Sequence, residues 1–187
     1  MGRTDDQLIA AVRAGETSAF TELYERHGRA LLTFLARLTG DLPLAEDLLQ
    51  ETFIRVWRAR DAYEGAGQFR AWLFTIARRL LIDWRRGQRI VWVDEPAALE
   101  SMAASAGASE GADVRDLVIR LDQALRQLPE GQREVLLLSR QVGLNAGQIA
   151  RITGSTAVAV RVSLHRALRR LSELLDAPEG WRDSEDA

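Results

Sequence analysis

The sequence predicts an all-α protein with two helical domains joined by a flexible linker, the second containing a helix-turn-helix. Apolar residues recur at helical spacing along almost the whole chain, which is the pattern of amphipathic helices. Only RIVWV, residues 89–93, alternates enough to compete as a strand. Residues 94–116 are acidic, rich in Ala, Ser and Gly, and bury too little apolar surface to offset ordering entropy. We therefore expect domains at 1–93 and 117–176, a linker at 94–116 and an acidic tail at 177–187.

Composition excludes several kinds of site. The 187 residues include no cysteine and two histidines, which excludes disulfide scaffolds, thiolate zinc sites and cysteine nucleophiles. We expect no metal and no other cofactor. No apolar run approaches the ~20 residues that a membrane span needs, and the N-terminus has no basic segment leading into an apolar one. We expect a cytoplasmic, soluble protein without membrane insertion.

Basic charge is concentrated in two stretches, although the formal net charge is -2. Residues 70–89 contain Asp83 as their only acid, and residues 133–170 contain only Glu134. All 25 basic residues are arginine, most simply because of genomic base composition. Arginine nevertheless presents a planar set of donors that suits phosphates and bases. The two stretches are therefore candidates for contact with nucleic acid.

The segment LPLAEDLLQETFIRVWRAR, residues 42–60, predicts a helix with two faces. Its core face consists of Ala45, Leu48, Leu49, Thr52, Phe53, Val56 and Trp57. The opposite face carries Asp47, Gln50, Glu51, Ile54, Arg55 and Arg58. Charged groups alone would indicate a solvated face, but Ile54 among them favours a protein-binding surface. A metal-carboxylate site is disfavoured because no histidine or matching second carboxylate helix accompanies these acids.

The segment GQFRAWLFTIARRLLIDWRR, residues 67–86, predicts a helix whose aromatic residues are mostly core. One apolar stripe consists of Phe69, Trp72, Leu73, Ile76, Ala77, Leu80 and Trp84, with Trp72 near its edge. Arg70, Phe74, Arg78, Arg79, Arg85 and Arg86 are predicted on or near the other surfaces. Guanidinium groups beside aromatic rings suit phosphate contacts and stacking on unpaired bases. The preceding YEGAGQ, residues 63–68, is either a simple turn or a place where a base is accommodated.

Residues 127–175 read as helix, short break, helix, tight turn, helix. Asn145 with Gln148 predicts an N-terminal capping box, Gly154 a helix end and Thr156 the next cap. In a helix-turn-helix the second helix enters the major groove. Its inward residues are predicted to be Val160, Leu164, Ala167, Leu168 and Leu171, and its outward residues Val158, Arg161, Val162, His165, Arg166 and Arg169. A helical hairpin with a basic solvated face remains the alternative.

Five stretches, in this order and at these spacings, resemble the extracytoplasmic-function (ECF) group of bacterial RNA polymerase sigma factors. They are SAFTELYERHGRALLTFLARLTGD (18–41), AEDLLQETFIRVWRARDAYEG (45–65), FRAWLFTIARRLLIDWRR (69–86), LPEGQREVLLLSRQVGLNAGQIARITGST (128–156) and VRVSLHRALRRL (160–171). The resemblance implies a promoter-specificity subunit, not an enzyme, that joins core RNA polymerase. It implies that the first domain, sigma region 2, grips the clamp helices of the largest subunit and melts the minus-ten element. The second, region 4, would read the minus-thirty-five element.

The resemblance also assigns roles to individual residues. The core-polymerase set is Asp47, Gln50, Glu51, Ile54 and Arg55. The minus-ten set is Phe69, Arg70, Trp72, Arg78, Arg79, Arg85 and Arg86. The minus-thirty-five set is Thr156, Val158, Arg161, Val162, His165, Arg166 and Arg169. An anti-sigma protein that masks the face around Asp47 and Arg55 is a further implied partner.

Two other functions are compatible with the residues alone. A free-standing helix-turn-helix regulator would bind duplex DNA tightly without polymerase and would not depend on Gln50 or Glu51. A hydrolase of nucleotides or nucleic acid that uses Asp47 and Glu51 would require metal-dependent turnover. Both differ from a sigma factor in whether core RNA polymerase is bound.

Overall fold

The computed structural model describes residues 2–87 and 112–176. These residues form eight α-helices and one short 3-10 helix, and no strand occurs among them, so the predicted all-α class is confirmed. The candidate strand at 89–93, the linker up to residue 111 and the tail after Asp176 lie outside the described residues. No helix in the described part of the chain is both long and apolar enough to cross a membrane.

The first helical unit contains four α-helices and the 3-10 helix. They are α1 (Asp5–Arg13), α2 (Thr17–Thr39), α3 (Leu42–Arg58), the 3-10 helix (Arg60–Ala62) and α4 (Phe69–Gly87). Thr4 and Gln7 form a capping box at the start of α1, and Asp41 caps α3 through the Leu44 amide. Gly40 ends α2 in the left-handed conformation that favours glycine. Helix α2 packs against α1 and α3, and α3 packs against α4.

The second unit contains α5 (Ala112–Arg126), α6 (Glu130–Arg140), α7 (Ala146–Thr153) and α8 (Ala157–Asp176). Helix α5 begins at Ala112, whereas the linker was predicted to continue to residue 116. Leu125 of α5 is buried and Leu121 packs against the core. Once these residues are anchored, adding residues to the helix costs little because helix propagation is cooperative.

The two units pack directly on each other. Helix α4 contacts α7, and α2 contacts α5 and α6. The buried apolar residues of both units belong to one continuous cluster. The hydrophobic periodicity that predicted the helices does not show that the two units pack together, because it describes one helix at a time. The packing decides which predicted functional residues are accessible.

Candidate functional site

The outer face of α3 is exposed. Asp47, Gln50, Ile54 and Arg55 are all accessible to solvent, and the exposed fraction of Ile54 is 44%. Arg55 Nε donates to Glu51 Oε1 at 2.9 Å, one turn away on the same helix. The surface therefore combines one apolar side chain, an amide, a free carboxylate and an ion pair. The core face of α3 is buried, with Trp57 half-buried at its end, so the fold does not need these outer groups for packing.

Phe69 and Phe74 of α4 are both buried, as the apolar stripe predicted for Phe69 but not for Phe74. The expectation that Phe74 lies on or near another surface is wrong, because its exposed fraction is 1%. Its ring packs edge-on against Phe34 of α2, with 5.1 Å between centroids. Phe69, predicted to contact DNA, is also buried, and its ring lies against His27 and Tyr63. Helix α4 contacts α2, α3 and α7, so its buried surface is wider than one stripe.

Trp72 lies half-buried at the border of a cleft. Its ring contacts Tyr63, with 5.1 Å between centroids and 39° between planes, and Phe69 at 5.9 Å. The cleft has a volume of about 400 Å³ and is lined by the loop at 63–68, by Trp72 and Thr75 of α4, and by residues of α7. Arg151 of α7 donates to Gln68 Oε1 at 2.5 Å across it. The second unit thus forms one wall of the place predicted to accommodate a base.

Three of the arginines predicted to face minus-ten DNA instead contact the second unit. Arg70 Nη1 donates to the Val142 carbonyl at 3.0 Å, and Arg78 Nε donates to Glu134 Oε1 at 2.7 Å. Arg85 forms an ion pair with Glu130. Arg79 and Arg86 are exposed. Both carboxylates lie on α6 and pair with Arg78 and Arg85, and nothing in their local sequence indicated those contacts.

A buried ion pair also joins the units. Arg37 Nε of α2 donates to Asp122 Oδ1 of α5 at 2.9 Å, and its Nη1 donates to Gln141 Oε1 at 3.1 Å. Asp122 has an exposed fraction of only 4%. Burial raises the pKa of the Asp122 carboxyl, and the attraction of Arg37 offsets only part of that rise. The Gln141 amide donates in turn to the Ala30 carbonyl at 3.1 Å, which closes a polar network between α2 and the second unit.

The helix-turn-helix has the predicted caps and faces. Asn145 and Gln148 form the capping box of α7, Gly154 ends that helix in the left-handed conformation, and the Thr156 hydroxyl accepts from the Ala159 amide at 3.1 Å. Val160 and Ala167 are buried. The outward residues are exposed, namely Thr156, Val158, Arg161, Val162, His165, Arg166 and Arg169. Arg169 lies 3.4 Å from Glu173 on the same helix.

Comparison with known proteins places both units in one family. Sigma-70 region 2 matches residues 23–90, and Sigma-70 region 4 matches residues 119–171. RNA polymerase sigma factor CarQ of Myxococcus xanthus is 39% identical over 163 residues, which cover 87% of this chain and 92% of that protein. ECF RNA polymerase sigma factor SigL of Mycobacterium tuberculosis is 34% identical, with the same shares covered.

Two solved complexes share the arrangement of the helices. The complex of CnrH, a protein of Cupriavidus metallidurans, with the cytosolic domain of CnrY has a TM-score of 0.69 at 30% identity, covering 92% of this chain and 97% of that one. The complex of the sigma factor RpoE with the anti-sigma factor NepR from Bartonella quintana has a TM-score of 0.65 at 25% identity, covering 83% and 96%. From these matches and both region models, the chain belongs to the ECF family of RNA polymerase sigma factors.

Proposed function

We propose that this chain binds core RNA polymerase and directs it to promoters through three surfaces. The outer face of α3 binds the clamp helices of the largest polymerase subunit. The arginines of α4 and the cleft beside Trp72 hold and open the minus-ten element. The outward face of α8 reads the minus-thirty-five element. The chain acts in the cytoplasm and leaves the chemistry to the polymerase, since sigma factors are initiation factors without catalytic activity.

The exposed outer face of α3 is the observation that carries the proposal. Ile54 stays exposed among Asp47, Gln50 and the Glu51–Arg55 pair, although burying it would be favourable. An apolar side chain ringed by polar groups on a rigid helix is typical of a protein interface, in which the apolar centre is desolvated and the polar rim sets orientation. A free-standing DNA-binding regulator would not depend on Gln50 or Glu51 of this face.

Replacing Gln50, Glu51 and Arg55 together with alanine should abolish co-purification with core RNA polymerase. The change removes polar contacts while leaving the formal charge and the buried core face of α3 unaltered. The matched control is Arg3→Ala, Glu16→Ala, which removes another exposed ion pair of the first unit, with 2.8 Å between its atoms. The proposal fails if wild type does not bind polymerase but holds duplex DNA tightly, as a free-standing regulator would.

The outward face of α8 combines donors with exposed apolar groups, which suits the major groove. Arg161, His165 and Arg166 supply donors, while Val158 and Val162 are 62% and 45% exposed. Arginine can reach two acceptors of guanine, and apolar side chains contact the thymine methyl group. The family usually has a phosphate-contacting arginine where Ser163 stands. We therefore expect a salt dependence of duplex binding lower by roughly one phosphate contact.

Arg161→Ala should relax sequence selectivity in the minus-thirty-five element. A bidentate arginine–guanine contact discriminates by about 1–3 kcal/mol, so transcription in vitro from promoters mutated at each upstream base should become more uniform at one position. Arg170→Ala is the matched control, because Arg170 is an exposed arginine of the same helix that lies 3.4 Å from Glu173. Equal selectivity profiles for the two variants would remove Arg161 from base reading.

An anti-sigma protein is a further proposed partner. RpoE was solved in complex with the anti-sigma factor NepR, and its chain resembles this one over most of its length. We propose that a comparable protein holds this chain inactive by covering the face around Asp47 and Arg55. We expect such a protein to compete with core polymerase for the wild-type chain, and we expect the triple alanine variant of α3 to bind the anti-sigma protein itself less tightly.

A further inference from the structure

The loop at 63–68 has an unusual backbone. Gly65, Ala66 and Gly67 follow one another with φ values of 84°, 65° and 68°. Ala66 is the single non-glycine residue with positive φ in the described residues. Side chains disfavour this region of conformational space, and such conformations persist only where the surroundings impose them. The loop therefore does not hold its shape by local preference alone, and something outside it must do so.

Asp6 of α1 holds the C-terminal part of this loop. Its Oδ1 accepts from the Tyr63 hydroxyl at 2.6 Å, and its Oδ2 accepts from the Gly67 amide at 2.8 Å. The Tyr63 hydroxyl in turn accepts from the Gln68 amide at 3.1 Å. Burial and the hydrogen bond to Asp6 raise the pKa of Tyr63, so the phenol stays protonated and keeps donating. One carboxylate thus connects Tyr63, which lies before the three residues with positive φ, to Gly67, the last of them.

Arg13, at the other end of α1, holds the N-terminal part of the loop. Its guanidinium donates to the Arg60 carbonyl at 2.9 and 2.7 Å and to the Asp61 carbonyl at 3.3 Å. It also donates to the carbonyl of Tyr63. One side chain thus satisfies three backbone acceptors, at residues 60, 61 and 63, which is a use for which the planar guanidinium is suited. Helix α1 therefore fixes the approach to the loop as well as the loop itself.

The loop in turn forms one wall of the cleft beside Trp72. Tyr63 and Gln68 line that cleft, and the Tyr63 ring lies against the Trp72 ring. Neither Asp6 nor Arg13 lines it, so the hydrogen bonds of these two residues reach the cleft through the loop. Helix α1 also lies before the segment that matches Sigma-70 region 2, residues 23–90, and the family comparison gives it no role.

We propose that Asp6 and Arg13 are positioning residues for promoter opening, which hold the 63–68 loop in the shape that lets the cleft beside Trp72 accept an unpaired minus-ten base. The inference rests on the proposed role of that cleft. It makes α1 part of the promoter-reading apparatus, although no residue of α1 lines the cleft. It also predicts that changes in α1 alter base selectivity without altering polymerase binding.

The test compares Asp6→Ala and Arg13→Ala with Asp5→Ala. Asp5 is the matched control because it lies in the same first turn and is also hydrogen-bonded, to Arg26 at 2.6 Å and His27 at 2.9 Å. Within the described part of the chain it forms no hydrogen bond with the loop, and it acts on Tyr63 only through its charge. Each variant is assembled with core RNA polymerase and assayed for strand opening by permanganate reactivity. The promoters carry each base in turn at every minus-ten position. Asp6→Asn, which keeps one acceptor for the Gly67 amide, should retain intermediate activity.

We expect opening of duplex promoters to fall by about tenfold to a hundredfold for Asp6→Ala and Arg13→Ala, as for other misplacements of a binding group. Selectivity should relax at one minus-ten position, a readout that general loss of stability would not produce. Co-purification with polymerase and helical content by circular dichroism should be unchanged. If Trp72→Ala impairs opening but Asp6→Ala behaves like Asp5→Ala, the inference is overturned. If Trp72→Ala has no effect, the cleft has no role and the inference falls with it.

Discussion

Asp122→Ala should separate the two helical units and raise the affinity of the isolated chain for single-stranded minus-ten DNA. Asp122 is buried on α5 and pairs with Arg37 of α2 at 2.9 Å. Removing one partner of a buried ion pair leaves an uncompensated charge and costs about 3–5 kcal/mol. In this protein that cost falls on the contact between the units, because Arg37 and Asp122 belong to different units. In the structure the two units are packed together, which we call the closed arrangement, and there Arg78 and Arg85 contact Glu134 and Glu130. Separation of the units would expose both arginines.

The apparent affinity of a protein for a ligand falls with the fraction of molecules in the competent state. Because Arg78 and Arg85 are occupied by glutamates of the second unit, weakening the contact between the units should raise the affinity by at least about tenfold. The measurements are the radius of gyration from small-angle X-ray scattering and the dissociation constant for a fluorescent single strand. The control is Asp116→Ala, which removes an exposed carboxylate from the same helix and so matches the change in net charge.

A second variant separates the loss of charge from the loss of packing. Arg37→Met combined with Asp122→Leu replaces both charged groups with apolar ones, and such replacements of buried pairs are often neutral or stabilising. We expect this double variant to stay closed and to bind DNA as weakly as wild type. Equal dimensions and equal affinity for Asp122→Ala and Asp116→Ala would show that the Arg37–Asp122 pair does not control the arrangement.

Trp72→Ala should spare polymerase binding and impair promoter opening. Trp72 is half-buried, touches Tyr63 and Phe69, and borders the cleft. Stacking of a base on an aromatic side chain is worth about 1–3 kcal/mol by alanine substitution, which corresponds to roughly fivefold to more than a hundredfold in opening. The defect should be relieved on a promoter with a pre-melted bubble, because the polymerase then no longer depends on Trp72 to trap the opened strand.

Trp57→Ala is the control for the loss of aromatic packing. Trp57 is also half-buried, packs edge-on against Phe20 at 5.1 Å and lies under the Arg60 guanidinium at 4.8 Å, but it does not line the cleft. It should reduce thermal stability without a specific opening defect. If the bubble fails to rescue Trp72→Ala, Trp72 serves the core of the first unit and the proposed stacking role is wrong.

The predictions from sequence succeeded where the determining interactions were local. The capping box joins Asn145 and Gln148, three positions apart, and the amide of Gly154 at the end of α7 donates to the Ala150 carbonyl four positions away. Both partners of each interaction therefore lie within one short stretch of sequence. The outward faces of α3 and α8 follow from helical periodicity for the same reason. Family membership was also recognisable from five ordered stretches, and the region 2 and region 4 matches confirm it.

The sequence did not reveal contacts between residues that lie far apart along the chain. Phe74 was placed outside the single apolar stripe, but α4 is covered by three other helices and buries more than one stripe. Arg70 and Arg78 were expected to face DNA, but they contact α6 and the chain just after it. Asp6 and Arg13 gave no sequence signal at all, since their bonds reach residues 47 to 61 positions away.

By itself, the sequence determined the helices, their caps, their apolar faces and the family to which the chain belongs, because each depends on short-range spacing or on residue order. Only the tertiary structure decided which of the functional side chains are available. Whether an arginine binds a phosphate or a glutamate of the second unit depends on which helices meet, and that choice is made by the packing of distant apolar surfaces. The same packing buries Asp122 against Arg37, so that removing one of these charges would leave the other without its partner.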